Sequence, residues 1–378
     1  MVIPFNDLSR SIGNDRTQID VAISRVLNSG HLIEGPENEA LAEELSGYLG
    51  VEDTILVGNG TDALEIALRS MGVKADDYVI TVANAGGYTT SAVRQIGALP
   101  LFVDIDPSDL QMAPESLVRV LEASDVKPAA IVVTHLFGAA APIENLISLA
   151  KGFGIPVLED CAQALGVEVR GRKVGTFGDA STTSFYPTKN LAALGDGGAI
   201  FTSDNRIFEK ARKLKQYGWA SKYHSELRGG QNSRLDEIQA AVLRFRLSKL
   251  PSRNERRREI FKSYEAVDNL GGRFPHRDNQ SFVPHLAVFV ASSRTETMSL
   301  LQGEGVEMMI HYPFPDHLQP ANSDLKRVSL PETESLSQML FSLPLFPEMT
   351  GSEISAVTEA LANLKPPGRP VNEPIARI

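Results

Sequence analysis

Between residues 54 and 204, short apolar runs alternate with stretches whose apolar residues recur at helical spacing. That alternation constrains the fold more than any other property of the chain. The runs TILVGNG (54–60), YVITVA (78–83), LPLFVDID (99–106), AAIVVTHLFG (129–138), IPVLED (155–160), STTSFY (181–186) and GGAIFTSD (197–204) read as seven strands. Between them TDALEIALRSMG, PESLVRVLEAS and IENLISLAKGFG read as crossover helices, the last stopped by its glycine. Strands joined by helices specify an α/β layer with a mostly parallel sheet.

Beyond Asp204 the pattern becomes helical, through NRIFEKARKLKQYG, SRLDEIQAAVLRFRLSKL and PSRNERRREIFKSYEAV, with Pro251 expected to kink or separate the last two. The final third mixes strands, HLAVFVAS and EGVEMMIHY, with helices near 293–303, 332–341 and 351–364. The expected division is a large unit over 1–250 and a smaller C-terminal α+β unit over 251–378. The proline-rich end, PPGRPVNEPIARI, lacks periodicity and is expected to pack poorly.

A net charge of −10, from 37 basic and 47 acidic residues, argues against nucleic-acid binding, so any anionic ligand must be captured by local groups. Cys161 is the only cysteine, which excludes an intrachain disulfide or a multi-cysteine metal site; no metal is expected. The N-terminus lacks the layout of a signal peptide and no apolar run is long enough to span a bilayer. A soluble cytoplasmic protein is the expectation, with no membrane partner.

Three stretches carry possible chemistry. In GNGTDALEIAL (58–68) a strand runs into a glycine-bounded helix start, where Thr61 and free N–H groups can hold an anion or simply cap a helix. It is neither a Walker A loop nor a complete GxGxxG fingerprint. In IPVLEDCAQALG (155–166) a strand delivers Glu159 and Asp160 to the sheet edge at which α/β folds bind ligands. Strand alternation sends the two carboxylates to opposite faces, so only one can serve a given site. It either keeps a ring nitrogen protonated or caps the next helix. In SFYPTKNLAALGDGGAI (184–200) Lys189 lies in a turn between Pro187 and the glycines of GDGG, and a nucleophilic lysine needs desolvation or nearby positive charge. Lone lysines are usually solvated, but an anion-binding helix start, an acid at a strand end and a lysine in a turn are together what pyridoxal 5'-phosphate requires.

With these residues in view, the chain resembles the DegT/DnrJ/EryC1/StrS sugar aminotransferases, which are fold-type-I, aspartate aminotransferase-like pyridoxal phosphate enzymes. The resemblance runs through IPFNDL (3–8), GHLIEGPENEALAEELSGYLG (30–50), GNGTDAL, PLFVDIDP, EDCAQALG, SFYPTKNLAALGDGGAI, GGQNSRLDEIQAAVL (229–243) and IHYPFPDHLQP (310–320). It implies that Lys189 forms the Schiff base, that Asp160 meets the pyridine nitrogen, and that Gln163 lies beside the ring. It further implies a phosphate cradle of Thr61, Ser184 and the backbone at Gly60 and Asp62. A homodimer with shared active sites follows from it, in which Asn232 reaches the neighbouring subunit's phosphate. Tyr186, His311 and Tyr312 would line the sugar pocket, and Lys222 and Tyr223, in a YGxxxKY element, would approach the substrate or pack at the surface.

One departure stands out. Where the family commonly reads ANTF or ANTY and stacks that aromatic on the cofactor, this chain reads ANAGGYTTSAV (83–93), with Gly86 at the stacking position and Tyr88 two residues on. Tyr88 is expected to replace it, the bland reading being that it packs in the helix it begins. His135 reads as a hydrogen-bonded structural histidine, and RNERRRE (253–259) as a solvated helix face with internal ion pairs. The implied reaction passes an amino group from glutamate, through pyridoxamine phosphate, to a nucleotide-linked ketosugar. Closest in motif are enzymes aminating C3 of dTDP-3-keto-6-deoxyhexoses; 4-keto or UDP-linked 3-keto sugars are alternatives. A regulatory protein of the same fold without catalysis, and a dinucleotide-dependent enzyme, are alternatives of other classes, disfavoured by the intact Lys189 and Asp160 and by the missing fingerprint.

Overall fold

The computed structural model describes residues 2–123, 126–267, 271–275 and 281–364. Two helices open the chain, α1 (Leu8–Ser29) and α2 (Pro36–Leu49), followed by β1 (Asp53–Val57), α3 (Gly60–Met71), β2 (Tyr78–Val82), α4 (Tyr88–Gln95), β3 (Leu99–Val103), α5 (Pro114–Ala123), β4 (Ala130–Thr134), α6 (Ile143–Phe153) and β5 (Val157–Asp160). A short hairpin of β6 (Glu168–Val169) and β7 (Arg172–Lys173) precedes β8 (Ala180–Ser184) and β9 (Gly198–Thr202). Each of the seven expected runs supplies one strand of a seven-stranded sheet, in the order β1-β9-β8-β5-β4-β2-β3. The five strands from β3 to β8 pair in parallel, whereas β9 runs antiparallel to both β8 and β1. Continuous burial along β4 and β5 explains their near-unbroken apolar sequence, since helices cover both faces. One face packs a core around Ile80, Val103, Ile131 and Leu146, the other a core around Leu64, Leu68, Val132 and Leu158. As expected, α6 stops at Gly154 in the left-handed conformation, φ 62°.

The chain continues through α7 (Asn205–Leu214), a hairpin of β10 (Trp219–Ser221) and β11 (His224–Ser225), and α8 (Glu237–Glu265). The C-terminal part adds β12 (Gly272–Arg273), β13 (Ala287–Ala291), α9 (Arg294–Gly303), α10 (Pro331–Ser337), β14 (Leu340–Leu343) and α11 (Gly351–Ala362). Pro251 separates nothing: it lies inside α8, which continues through it. The two halves of that helix nevertheless feed different cores. Ala240, Leu243, Leu247 and Leu250 pack with α2 residues, while Ile260, Phe261 and Tyr264 pack with β13, β14 and α11 residues. On that basis we propose that the change from the large to the smaller unit falls within α8, near residue 250.

Two local expectations are corrected. EGVEMMIHY is no regular strand; Val306 bridges Ile3 in parallel and Met309 bridges Ser342 in antiparallel, so its backbone bonds are split between two partners and no single ladder forms. The helix expected over 332–341 ends at Ser337, because Leu340–Leu343 is taken as β14 by antiparallel pairing with β13. The proline-rich end, 366–378, lies outside the described residues. No helix among those described is long and apolar enough to cross a membrane.

Candidate active site

A cavity of about 750 Å³ opens where β4, β5 and β8 end, lined by the last residue of each: Thr134, Asp160 and Ser184. This is the carboxyl edge of the parallel sheet, where open α/β folds place ligands. Loops and helix starts converge there because every parallel strand must leave the sheet at that edge.

At the end of β5 the alternation separates the two carboxylates as expected. Asp160 lines the cavity, 6% exposed, and accepts a hydrogen bond from the Ala162 N–H at 3.0 Å. Burial raises its pKa above the usual carboxylate range, against the lowering influence of that N–H, Lys189 and His135. Glu159 points away and is fully buried, accepting from the N–H groups of Gly175, Phe177 and Gly178 at 2.7 Å each. The His135 ring lies between: its Nδ1 accepts from Ala141 N–H at 3.0 Å, so Nε2 carries the proton that it donates to Glu159, also 3.0 Å away. Although burial raises the Glu159 pKa, these bonds outweigh it and leave a net lowering. His135 is therefore the structural residue its sequence suggested. Ligand atoms of His135, Glu159 and Cys161 lie within 4.8 Å of one another, yet the first two are consumed by these bonds.

Lys189 N–H donates to Tyr186 O at 2.8 Å, closing the turn that follows β8 and aiming the side chain into the cavity that Asp160 lines. The residue is reachable from the cavity, but its ammonium is enclosed by protein. Desolvation lowers its pKa to about 8, with Asp160 opposing the shift. With that pKa about one amine in five is neutral near physiological pH, against about one in a thousand for an ordinary lysine, and the neutral form is the one that acts as nucleophile or proton carrier.

The cradle is built from α3 and the end of β8. Asn59 caps α3, its Oδ1 accepting from Asp62 N–H at 2.8 Å. A Cβ on Gly60 would lie 2.7 Å from the Ser184 Cβ, so only glycine lets the helix start approach β8 this closely. The glycine run after Lys189 serves the same junction, since a Cβ on Gly198 would meet Asn59 O at 2.4 Å. Gly60, Thr61 and Ser184 thus line one wall, and among the described residues the N–H groups of Gly60 and Thr61 donate to no protein acceptor. Asp62 departs from the expectation. Its N–H is used by the cap, its carboxylate accepts from Ser233 Oγ at 2.6 Å, and it does not line the cavity.

Gln163, 6% exposed, accepts from Phe137 N–H at 2.7 Å and donates to Tyr312 Oη at 3.1 Å. At Gly86, φ 78°, a Cβ would lie 2.7 Å from the Tyr312 ring; Tyr312 occupies the room a side chain at 86 would need. Tyr88 is half exposed and meets Tyr312 edge-on, with centroids 6.2 Å apart. His311 stacks on Phe5 at 5.6 Å and bonds Ser342 Oγ at 3.0 Å; burial and then the Lys189 charge lower its pKa to about 4. Tyr186 lines the mouth and is 52% exposed. Lys222, Tyr223 and Asn232 lie outside the cavity of this chain, exposed, the first two in the β10–β11 hairpin region.

Sequence reasoning missed Arg257 and His285, both buried and both lining the cavity. Arg257 belongs to the stretch read as a solvated helix face. The outer pairs are there, Arg256–Glu259 at 3.0 Å and Arg258–Glu255 at 3.1 Å, but Asn254 and Arg257 recur three apart on the inner face. The spacing alone could not single them out, because Arg253–Arg256, Glu255–Arg258 and Arg256–Glu259 recur at the same interval.

These residues fit pyridoxal phosphate: an amine of lowered pKa, a buried carboxylate in the same cavity, and a close-packed glycine wall with free N–H donors for a phosphate. Comparison with known proteins agrees. Residues 14–362 match the pattern of the DegT/DnrJ/EryC1/StrS aminotransferase family. The chain is 39% identical to the erythromycin biosynthesis sensory transduction protein EryC1 of Saccharopolyspora erythraea, over 97% of this chain and 99% of that one. It is 36% identical to a dTDP-3-amino-3,4,6-trideoxy-alpha-D-glucose transaminase of Streptomyces venezuelae, over 95% of each. A UDP-N-acetyl-3-dehydro-alpha-D-glucosamine 3-aminotransferase of Acidithiobacillus ferrooxidans is 34% identical over 95% and 97%. The crystal structure of S. venezuelae DesV superposes with a TM-score of 0.91 at 36% identity, covering 96% of this chain and 98% of that one.

Proposed function

The chain belongs to the DegT/DnrJ/EryC1/StrS aminotransferase family, and from that premise we propose that it moves the amino group of glutamate to C3 of a dTDP-linked 3-keto-6-deoxyhexose. It is a pyridoxal phosphate-dependent nucleotide-sugar aminotransferase of α/β, fold-type-I architecture. The observation that carries the catalytic reading is Lys189, desolvated to a pKa of about 8 in the same cavity as buried Asp160. Similarity to the dTDP-sugar transaminase over 95% of the chain supports the substrate, and the UDP-sugar relative supports the second reading, a UDP-linked 3-keto sugar.

When bound, the cofactor supplies an electron sink for negative charge developing on the carbon beside the reacting nitrogen. Lys189 would hold it through its amine, and that amine, when free, would carry the proton away from the donor Cα in the first half-reaction and deliver one to the sugar carbon in the second. Asp160 would keep the ring nitrogen protonated, with the Ala162 N–H and Lys189 favouring its charged form against the burial that raises its pKa. Gly60, Thr61 and Ser184 take the phosphate. Tyr312, held by Gln163 and packed edge-on by Tyr88, fills the space that a side chain at 86 would need. Tyr186 and His311 receive the sugar. The exposure of Asn232 and of the Lys222–Tyr223 hairpin supports their acting on the cavity of a second copy, in a homodimer.

Purified protein carrying the cofactor is expected to show a long-wavelength absorbance removed by borohydride and absent in Lys189→Ala, which also loses at least about 10³-fold in turnover. Incubation with glutamate and a panel of dTDP- and UDP-linked 3-keto and 4-keto sugars, read by mass, tests the substrate. Absence of product from the dTDP-3-keto compounds would refute the dTDP assignment, and product from UDP-linked 3-keto sugars alone would establish the second reading.

A further inference from the structure

Strand β5 ends in two buried carboxylates, one on each face of the sheet, and they are answered differently. On the face away from the cavity, Glu159 accepts from three backbone N–H groups and from His135. On the cavity face, Asp160 accepts only from the Ala162 N–H among the described residues. An ionised carboxylate has about four acceptor sites, so most of those on Asp160 are unspent. The Glu159 pKa is accordingly lowered and the Asp160 pKa raised.

Two unspent donors stand beside it. In the parallel register Asp160 is paired with Thr134 of β4 on one side and with Thr182 of β8 on the other. Backbone bonds from His135 N–H to Asp160 O, 3.0 Å, and from Cys161 N–H to Thr182 O, 2.8 Å, hold the three residues in line. Residues in register share a face, on strands about 4.8 Å apart, so the two threonine side chains flank the carboxylate. Both threonines are buried, and each hydroxyl oxygen is sealed without a hydrogen-bond partner among the described residues. Thr81 is sealed in the same way, but its register partner on β3 is Phe102. An idle buried hydroxyl is costly, and its hydrogen turns to suit whichever acceptor is in reach. A carboxylate that must stay charged is the strongest such acceptor in this row. We propose that Thr134 and Thr182 are positioning residues of the active cavity, whose hydroxyls donate to the Asp160 carboxylate when it pairs with the protonated ring nitrogen of pyridoxal phosphate, holding it ionised and aimed at that nitrogen.

This inference rests on the pyridoxal phosphate reading, and its test separates the two. Thr134→Val combined with Thr182→Val keeps the shape of both side chains and removes both hydroxyls. The doubly substituted protein is expected to bind pyridoxal phosphate about tenfold or more weakly in a fluorescence titration, whereas Thr134→Ser combined with Thr182→Ser stays within about threefold. For 1-deazapyridoxal phosphate, whose ring has carbon in place of nitrogen and cannot pair with Asp160, affinity is expected to agree within about twofold between these proteins and the unsubstituted one. The cofactor-free valine variant is expected to melt at or above the temperature of the unsubstituted protein, because it no longer buries two idle hydroxyls. Unchanged pyridoxal phosphate affinity in the valine variant overturns the proposal. So does an equal loss for the cofactor and its deaza analogue, which is what a packing role alone would produce. An unsubstituted protein that binds neither compound would instead sink the functional reading, and this assignment with it.

Discussion

The floor of the cavity and its mouth are built differently. On the floor, Asp160 and Gln163 are at most 6% exposed and each is held by backbone N–H groups, while the Gly60–Ser184 junction admits no extra atom. At the mouth, Tyr88 and Tyr186 are about half exposed and Tyr223 is 79% exposed, outside the cavity altogether. A group fixed by several bonds presents one geometry, which a cofactor common to every turnover requires; the mouth has one wall in this chain and, in our reading, another from a second copy. Substitutions should therefore act on the floor through cofactor geometry and at the mouth through substrate affinity.

The sharpest test is Asp160→Asn. Removing the carboxylate from the ring nitrogen is expected to lower turnover about 10²- to 10³-fold, in the range for losing one preorganised electrostatic contact, with little change in the apparent KM for the sugar. A KM effect instead would mean that floor and mouth are not separable. Next comes Gly60→Ala, whose Cβ would meet Ser184 Cβ. Overpacking of about 1–3 kcal/mol should weaken cofactor affinity about 5- to 150-fold in a fluorescence titration, and Ser184→Gly added to it should recover part of the loss.

Acidity probes the floor without a mutation. In cofactor-free protein, cofactor capture needs neutral Lys189, so its rate should fall about tenfold per pH unit below about 8 and level off above it. Because the folded pKa lies below the ordinary lysine value of 10.5, the associated stability is complete above 10.5 and is lost as pH falls through about 8. Denaturant unfolding of Lys189→Met should lack that rise between about 8 and 10.5. The smallest effect is expected from Lys222→Ala and Tyr223→Phe, which should leave cofactor absorbance unchanged and alter sugar KM by a few-fold, in proportion to the dimer present. An altered absorbance would place the hairpin on the floor.

Legibility followed the same division. The strand ending in Glu159 and Asp160 foretold which kind of separation the carboxylates would show, because period-two alternation is a property of the strand itself. The turn carrying Lys189 and the glycine at 60 were equally visible. Arg257 was hidden inside a run of charges whose outer members do form the expected surface pairs, and Asp62 was assigned to a cradle from which its cap and Ser233 withdraw it. Tyr88 was expected to serve the cofactor and does line the cavity, while Tyr312, over 200 residues away in the chain, fills the space beside Gly86.

By itself, then, the sequence determined the seven-stranded layer, the face on which Asp160 lies and the turn that presents Lys189, since periodicity, caps and glycine turns act over a few neighbouring residues. Only the tertiary structure decided that EGVEMMIHY would not be a strand, that α8 would run through Pro251, that Tyr312 would sit against Gly86 and that Arg257 would be buried against the cavity. Burial and charge balance depend on which distant segments meet, and no local pattern carries that information.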